Sequence, residues 1–158
     1  MGDINMRQES GRSMIEMLGV LTIMGVLTVG AVGMISTAMR TQKRNAVNDE
    51  VIQMTTQVRT LLGEYDDFSH INNSTIFGAI GMTNKNPYGG TYELSVDPSN
   101  SRQFIVSITG LNQSDCEYFV AKAWSDSVGR INSNNKEGGA TGDCRNATNN
   151  TVQITYGE

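Results

Sequence analysis

Residues 17–39 read MLGVLTIMGVLTVGAVGMISTAM, from Met17 to Met39, 23 positions without a charge. As a helix rising about 1.5 Å per residue, the run is roughly 35 Å long, enough to cross a hydrocarbon core of about 30 Å. It reads as a membrane span. A buried helix would need apolar cover on every side, and nothing else in a chain of 158 residues is large enough to supply it. A secretory signal peptide fits no better, because such an apolar core is shorter and follows a basic region. Here the preceding MGDINMRQESG carries Asp3, Arg7 and Glu9, net −1.

Outward from the run, the pattern changes period. After Arg40, Lys43 and Arg44, apolar residues recur at Val47, Val51, Met54, Val58 and Leu61, with Asp49, Glu50, Gln53, Gln57 and Arg59 between them. The spacing predicts an amphipathic helix with one apolar stripe, ended by Gly63 as a C′ residue. Residues 13–62 therefore read as one helix of roughly 75 Å. The first half needs lipid or other apolar helices around it, and the second half needs a small packed domain on one face.

Whole-chain composition hides this division. The mean hydropathy of −0.30 averages an apolar segment with a polar one. Residues 1–63 hold six basic and five acidic side chains, whereas 64–158 hold six against eleven, net −5, and contain twelve Asn. The length fits one core. The composition excludes a disordered chain, a disulfide-framework miniprotein and a nucleic-acid binder working by bulk charge. A local basic patch drawn from Arg102, Lys122, Arg130 or Arg145 stays open.

Glu16 sits just inside the apolar segment, where an unpaired carboxylate costs several kcal/mol. Position alone leaves two readings open, an intramembrane functional acid or a flank at the membrane surface. The surrounding residues, Gly11-Arg-Ser-Met-Ile-Glu16-Met-Leu-Gly-Val-Leu21, resemble the type IV prepilin signature. That signature has a short hydrophilic leader, a Gly at the cut, a Glu five residues beyond it and a long apolar helix.

The resemblance implies the rest of the biology. A membrane-embedded prepilin peptidase would cleave between Gly11 and Arg12, methylate the new N-terminus and leave a chain of 147 residues. The carboxylate of Glu16 would pair with the α-amine of Arg12, in its own or a neighbouring subunit, and set register in a helical filament of identical subunits. Implied partners are the inner membrane, the pilus assembly machinery and a host or recipient cell surface. The chain would be stored in the bacterial inner membrane and then reside in an extracellular fibre serving adhesion, conjugation or motility. Three departures stand out. Residue 12 is Arg where Phe, Met or Leu is common. The apolar run lacks a mid-helix proline, having Gly19, Gly25, Gly30 and Gly33 instead. The cations after the span would place the C-terminal part in the cytoplasm by the positive-inside rule, whereas the family places it outside.

In the polar part, alternation predicts strands at 91–97, 103–109 and 151–156, with a weaker one at 127–131. Asp97-Pro-Ser-Asn100 makes a hairpin turn of the first two. Ser114-x-x-Glu117 predicts a capping box opening a helix with Cys116, Phe119, Val120, Ala123 and Trp124 at helical spacing. This order, after Asn86-Pro-Tyr-Gly-Gly90, resembles the C-terminal half of type IVb pilins, including those of conjugative thin pili. Cys116 and Cys144 are the only cysteines. Each could be a buried thiol, but an even pair in an exported domain favours a disulfide closing a loop around the Asn/Gly-rich run 132–143.

The expected fold is α+β: a long N-terminal helix, its apolar half protruding and its amphipathic half packed on a small antiparallel head. The divisions are a leader 1–11, an apolar helix 12–40, an amphipathic helix 41–63 and a head 64–158. No catalytic residue, cofactor or metal site is expected. His70 is the single histidine, and Glu64, Asp66 and Asp67 read as a solvated loop in preference to a Ca²⁺ site. Two rivals share these features: a pseudopilin of a type II secretion system, and an uncleaved membrane-anchored periplasmic binding module.

Overall fold

The structure is a computed structural model that describes residues 3–134 and 143–158, with side chains from residue 13. It is α+β. Helix α1 spans Asp3–Leu62, and a 3-10 turn covers Gly63–Tyr65. There follow α2 (Asn73–Ile80), β1 (Tyr92–Asp97), β2 (Asn100–Leu111), α3 (Gln113–Ala121), β3 (Ser127–Ser133) and β4 (Asn150–Gly157). The strands form one antiparallel sheet in the order β1-β2-β4-β3. The chain divides into two compact units, 1–42 and 43–158.

In the second unit, the apolar stripe of α1 forms one side of the core. Val47, Val51, Met54 and Val58 are fully buried, each such side chain stabilising by about 1.5–3 kcal/mol relative to exposure. The inner faces of the strands meet it through Leu94, Phe104, Val106, Ile108, Val152 and Ile154, and Ile76, Phe77, Phe119, Val120 and Trp124 complete the cluster. The strand residues alternate as a strand with one face on a core must. Phe104 stacks on Tyr156 at 5.6 Å and meets Phe68 at 4.8 Å.

Leu61 departs from the expected stripe. It is exposed, and Leu62 packs against the core in its place, because 3.6 residues per turn carries a four-residue step from Val58 onto Leu62. Gly63 does not act as the left-handed C′ residue either. The helix tightens into the 3-10 turn, and the left-handed residue is Asp66, at φ 49°. That conformation is open to a short polar side chain.

The two strands of the predicted hairpin and their turn are present, β2 running longer than expected and pairing with β4 on its other side. Asp97 folds the hairpin turn onto itself, its Oδ1 accepting from the Ser99 amide at 2.8 Å and the Ser99 hydroxyl at 2.6 Å. The Asn86 carboxamide organises the approach to β1. Its Oδ1 accepts from the Tyr88 and Gly90 amides, both at 3.0 Å, and its Nδ2 donates to the Thr109 carbonyl at 2.7 Å. A side chain at Gly90 would lie 2.0 Å from that carbonyl oxygen, so only glycine fits there.

The capping box on Ser114 and Glu117 is corrected. The N-cap of α3 is Asn112, whose Oδ1 accepts from the Asp115 amide at 2.8 Å, while its Nδ2 donates to the Asp115 carboxylate at 2.7 Å. The helix starts two residues earlier than expected, and Asp115 takes the place assigned to Glu117. Helix α2 was not foreseen. Asn72 caps it through the Thr75 amide at 3.2 Å, Gly81 ends it at φ 68°, and Ile76 and Phe77 anchor it in the core.

Candidate functional site

The apolar half of α1 is the most unusual surface of the molecule. Every residue from 13 to 42 is exposed, including Met17, Leu18, Leu21, Ile23, Leu27 and Val29, each more than 60% accessible. The segment is long and apolar enough to cross a membrane, with none of it buried in the described chain. Its polar groups are handled internally. Thr22, Thr28, Ser36, Thr37 and Thr41 donate their hydroxyls to the carbonyls four residues earlier, at 2.7–3.2 Å. No donor among them is left to seek water. Gly19, Gly25, Gly30 and Gly33 have open space where a side chain would stand, so nothing within the chain demands glycine at these positions.

Glu16 lies on this helix, exposed. It has no ion pair or hydrogen bond with a described residue. The helical backbone of α1 runs through Gly11 and Arg12, and the Arg12 side chain lies outside the described residues.

The second unit carries its own polar centre. Arg44 Nε donates to Asp115 Oδ1 at 2.7 Å, with the Asp115 side chain 2% and the Arg44 side chain 21% exposed. The guanidinium stacks 4.1 Å from the Tyr118 ring centroid. With the Asn112 amide on its second oxygen, the buried carboxylate is satisfied on both sides. The Tyr88 hydroxyl is buried and without a hydrogen bond. Burial first, then the Asp115 charge, push it up to about 12. Sequence pattern missed this cluster because Arg44 and Asp115 are 71 positions apart.

Cys116, next to Asp115, is bonded to Cys144 with Cα atoms 5.8 Å apart. The bridge ties α3 to the approach to β4. Of the Asn/Gly-rich run between them, 135–142 lie outside the described residues.

The remaining candidates acquire local duties. Asp66 faces Arg102 at 3.8 Å. Asp67 accepts from the Ser69 hydroxyl and amide at 2.6 and 2.9 Å, which hold its carboxyl below the usual range. Among the described residues no group of three His, Cys, Asp or Glu could hold a metal. His70 is exposed and borders a shallow cavity of about 160 Å³ with Leu61, Leu62 and Ile76. A wider cleft of about 410 Å³ has Arg59, Phe68 and Arg102 in its wall. Each arginine there already faces an acid, Asp126 at 3.4 Å and Asp66 at 3.8 Å.

The four cations considered for a basic patch are likewise engaged. Arg102 faces Asp66, Arg130 pairs with Asp97 at 2.8 Å, and Lys122 donates to Asn48 and lies 4.4 Å over Trp124. Arg145 also has a partner.

No protein-family model and no curated protein matches the chain. The long apolar helix, the small antiparallel sheet and the disulfide are together compatible with a pilin fold.

Proposed function

We propose that this chain is a type IV pilin precursor: a membrane-held subunit, cut after Gly11 by a prepilin peptidase, that polymerises through α1 into an extracellular fibre. The observation that carries the reading is the apolar half of α1. Its charge-free surface from Met17 to Met39 is wholly exposed and needs cover from outside the chain, which in this reading is lipid before assembly and the same helix of other copies in the fibre. The Gly11–Glu16 motif in register ahead of it supports this reading, as does a second unit with its own core and disulfide. In this role Glu16 meets the amine of Arg12 in the filament, and the molecule is structural, not catalytic. Its partners are the peptidase, the inner membrane, the assembly machinery and identical subunits, with a host or recipient surface at the fibre's exterior.

Intact-mass measurement of the protein recovered from membranes, followed by electron microscopy of sheared surface material, tests the proposal. The expected result is a chain beginning at Arg12 with a methylated amine, present as the principal subunit of long fibres. Retention of residues 1–11 would instead indicate an anchored binding module. Cleavage without surface fibres would indicate the short periplasmic assembly of a type II secretion pseudopilin.

A further inference from the structure

Strand β1 lies at an edge of the sheet, and its outer side is closed by something other than a strand. In an antiparallel ladder, alternate residues point their N–H and C=O away from the partner strand. On β1 these include Tyr92 and Leu94. The Leu94 amide donates to Asn73 Oδ1 at 2.8 Å, and the Leu94 carbonyl accepts from Asn73 Nδ2 at 3.1 Å. One carboxamide thus makes the two-bond exchange that a residue of a neighbouring strand would make. The Tyr92 amide donates to the Asn84 carbonyl at 2.7 Å. Asn73 is the first residue of α2, held in place by the Asn72 cap and by buried Ile76 and Phe77.

The opposite edge is protected differently. The pairing of β3 breaks between Ser127 and Ile131, and Gly129 adopts φ 76°. A bulge of this kind deters strand addition. β1 has no such defect from Tyr92 to Val96. Uncovered, it would be a regular template.

We propose that α2 latches the β1 edge, Asn73 holding shut a strand-pairing surface whose occupant is β1 of a second copy. The sequence of the strand is self-complementary under a two-fold axis through Leu94. In that register Leu94 opposes its own equivalent and exchanges two backbone bonds with it, replacing those now made to Asn73. Tyr92 then opposes Val96, an apolar match, and Glu93 opposes Ser95, so no like charges face each other.

The test uses the full chain in detergent micelles, with wild type as the baseline. Two measurements are made on Asn73→Ala: hydrogen exchange at the Leu94 amide, and sedimentation over a range of protein concentrations. The expected result is exchange faster by about tenfold or more in dilute samples, with a concentration-dependent dimer. The register adds a charge test. On the Asn73→Ala background, Ser95→Lys places Lys against Glu93 and strengthens the dimer, whereas Ser95→Glu opposes like charges and weakens it. Should Asn73→Ala fail to fold, Asn73→Asp keeps the acceptor for the Leu94 amide and loses the donor to its carbonyl, giving an intermediate exchange rate. Wild-type exchange in the variants, an opened edge without a dimer, or a dimer indifferent to charge at position 95 would each overturn the proposal.

Discussion

Arg130 Nη1 reaches the Asp97 carboxylate at 2.8 Å and joins the two edge strands of the sheet, since Asp97 ends β1, Arg130 lies in β3, and β2 and β4 stand between them. The Asp97 side chain is only 5% exposed, that of Arg130 44%. Hydrogen bonds from Ser99 hold the Asp97 carboxyl below the usual carboxylate range, and Arg130 adds to this, against the opposing effect of burial. A depressed folded value stabilises fully above the unfolded value of about 3.9, and the contribution is lost as pH falls through the folded value. In urea titrations, Asp97→Asn is expected to cost about 1–2 kcal/mol at neutral pH and to flatten the acid limb of the stability curve. Arg130→Ala, removing a half-exposed partner, should cost less, about 1 kcal/mol or below.

The Arg44–Asp115 pair is buried enough for the loss of one partner to matter more than the pair itself. Arg44→Ala leaves a desolvated carboxylate and is expected to destabilise by about 3 kcal/mol or more. Arg44→Met combined with Asp115→Leu removes both charges and should be less damaging than Arg44→Ala alone. Denaturant midpoints for the single and double variants check this, and a double variant worse than the single would show that the pair itself supplies net stability.

Alkaline pH should unfold the second unit through its tyrosines. Burial raises Tyr88, Tyr92 and Tyr156, with the Glu50 hydrogen bond adding to Tyr92. The unfolded chain releases these protons near pH 10 while the folded one keeps them. Stability is therefore full below about pH 10 and declines above it, Tyr88 reaching its folded value only at about 12. Tyr156→Phe is expected to make that decline shallower, read by denaturation at pH 9 to 11.

Under the proposed pilin reading, Glu16→Ala is expected to separate cutting from assembly. The cut after Gly11 should proceed with a wild-type mass change, while surface fibres are strongly reduced. Normal fibres from this variant would sink the register role of Glu16.

The parts of the fold legible in sequence were those written as periodicity. Val47, Val51, Met54 and Val58 announce their helix face, and Tyr92, Leu94, Val106 and Ile108 announce strands, because burial on one face imposes alternation. What escaped were the duties of side-chain amides. Asn72, Asn73 and Asn112 sit in a segment so rich in Asn that composition cannot distinguish a cap from a loop residue. Helix α2 has only eight residues, too short for its 3.6 period to emerge. Ser114 and Glu117 imitate a capping box, but Asn112 lies where the strand ends and so reaches the helix first. The Arg44–Asp115 contact depends on tertiary proximity that no local pattern encodes. The proposed processing and assembly residues, Gly11, Arg12 and Glu16, were readable only as a motif, since their chemistry belongs to encounters with other molecules.

The threonines and serine of the apolar helix return their hydroxyls to their own backbone. In the proposed assembly, moving this helix from a bilayer into a bundle of identical helices would therefore break none of these hydrogen bonds. To this stretch of helix the two media are nearly interchangeable solvents. On that proposal the free-energy difference between the two would rest on shape, on the close approach of neighbouring helices that the glycines permit, and on the carboxylate of Glu16 ahead of the run.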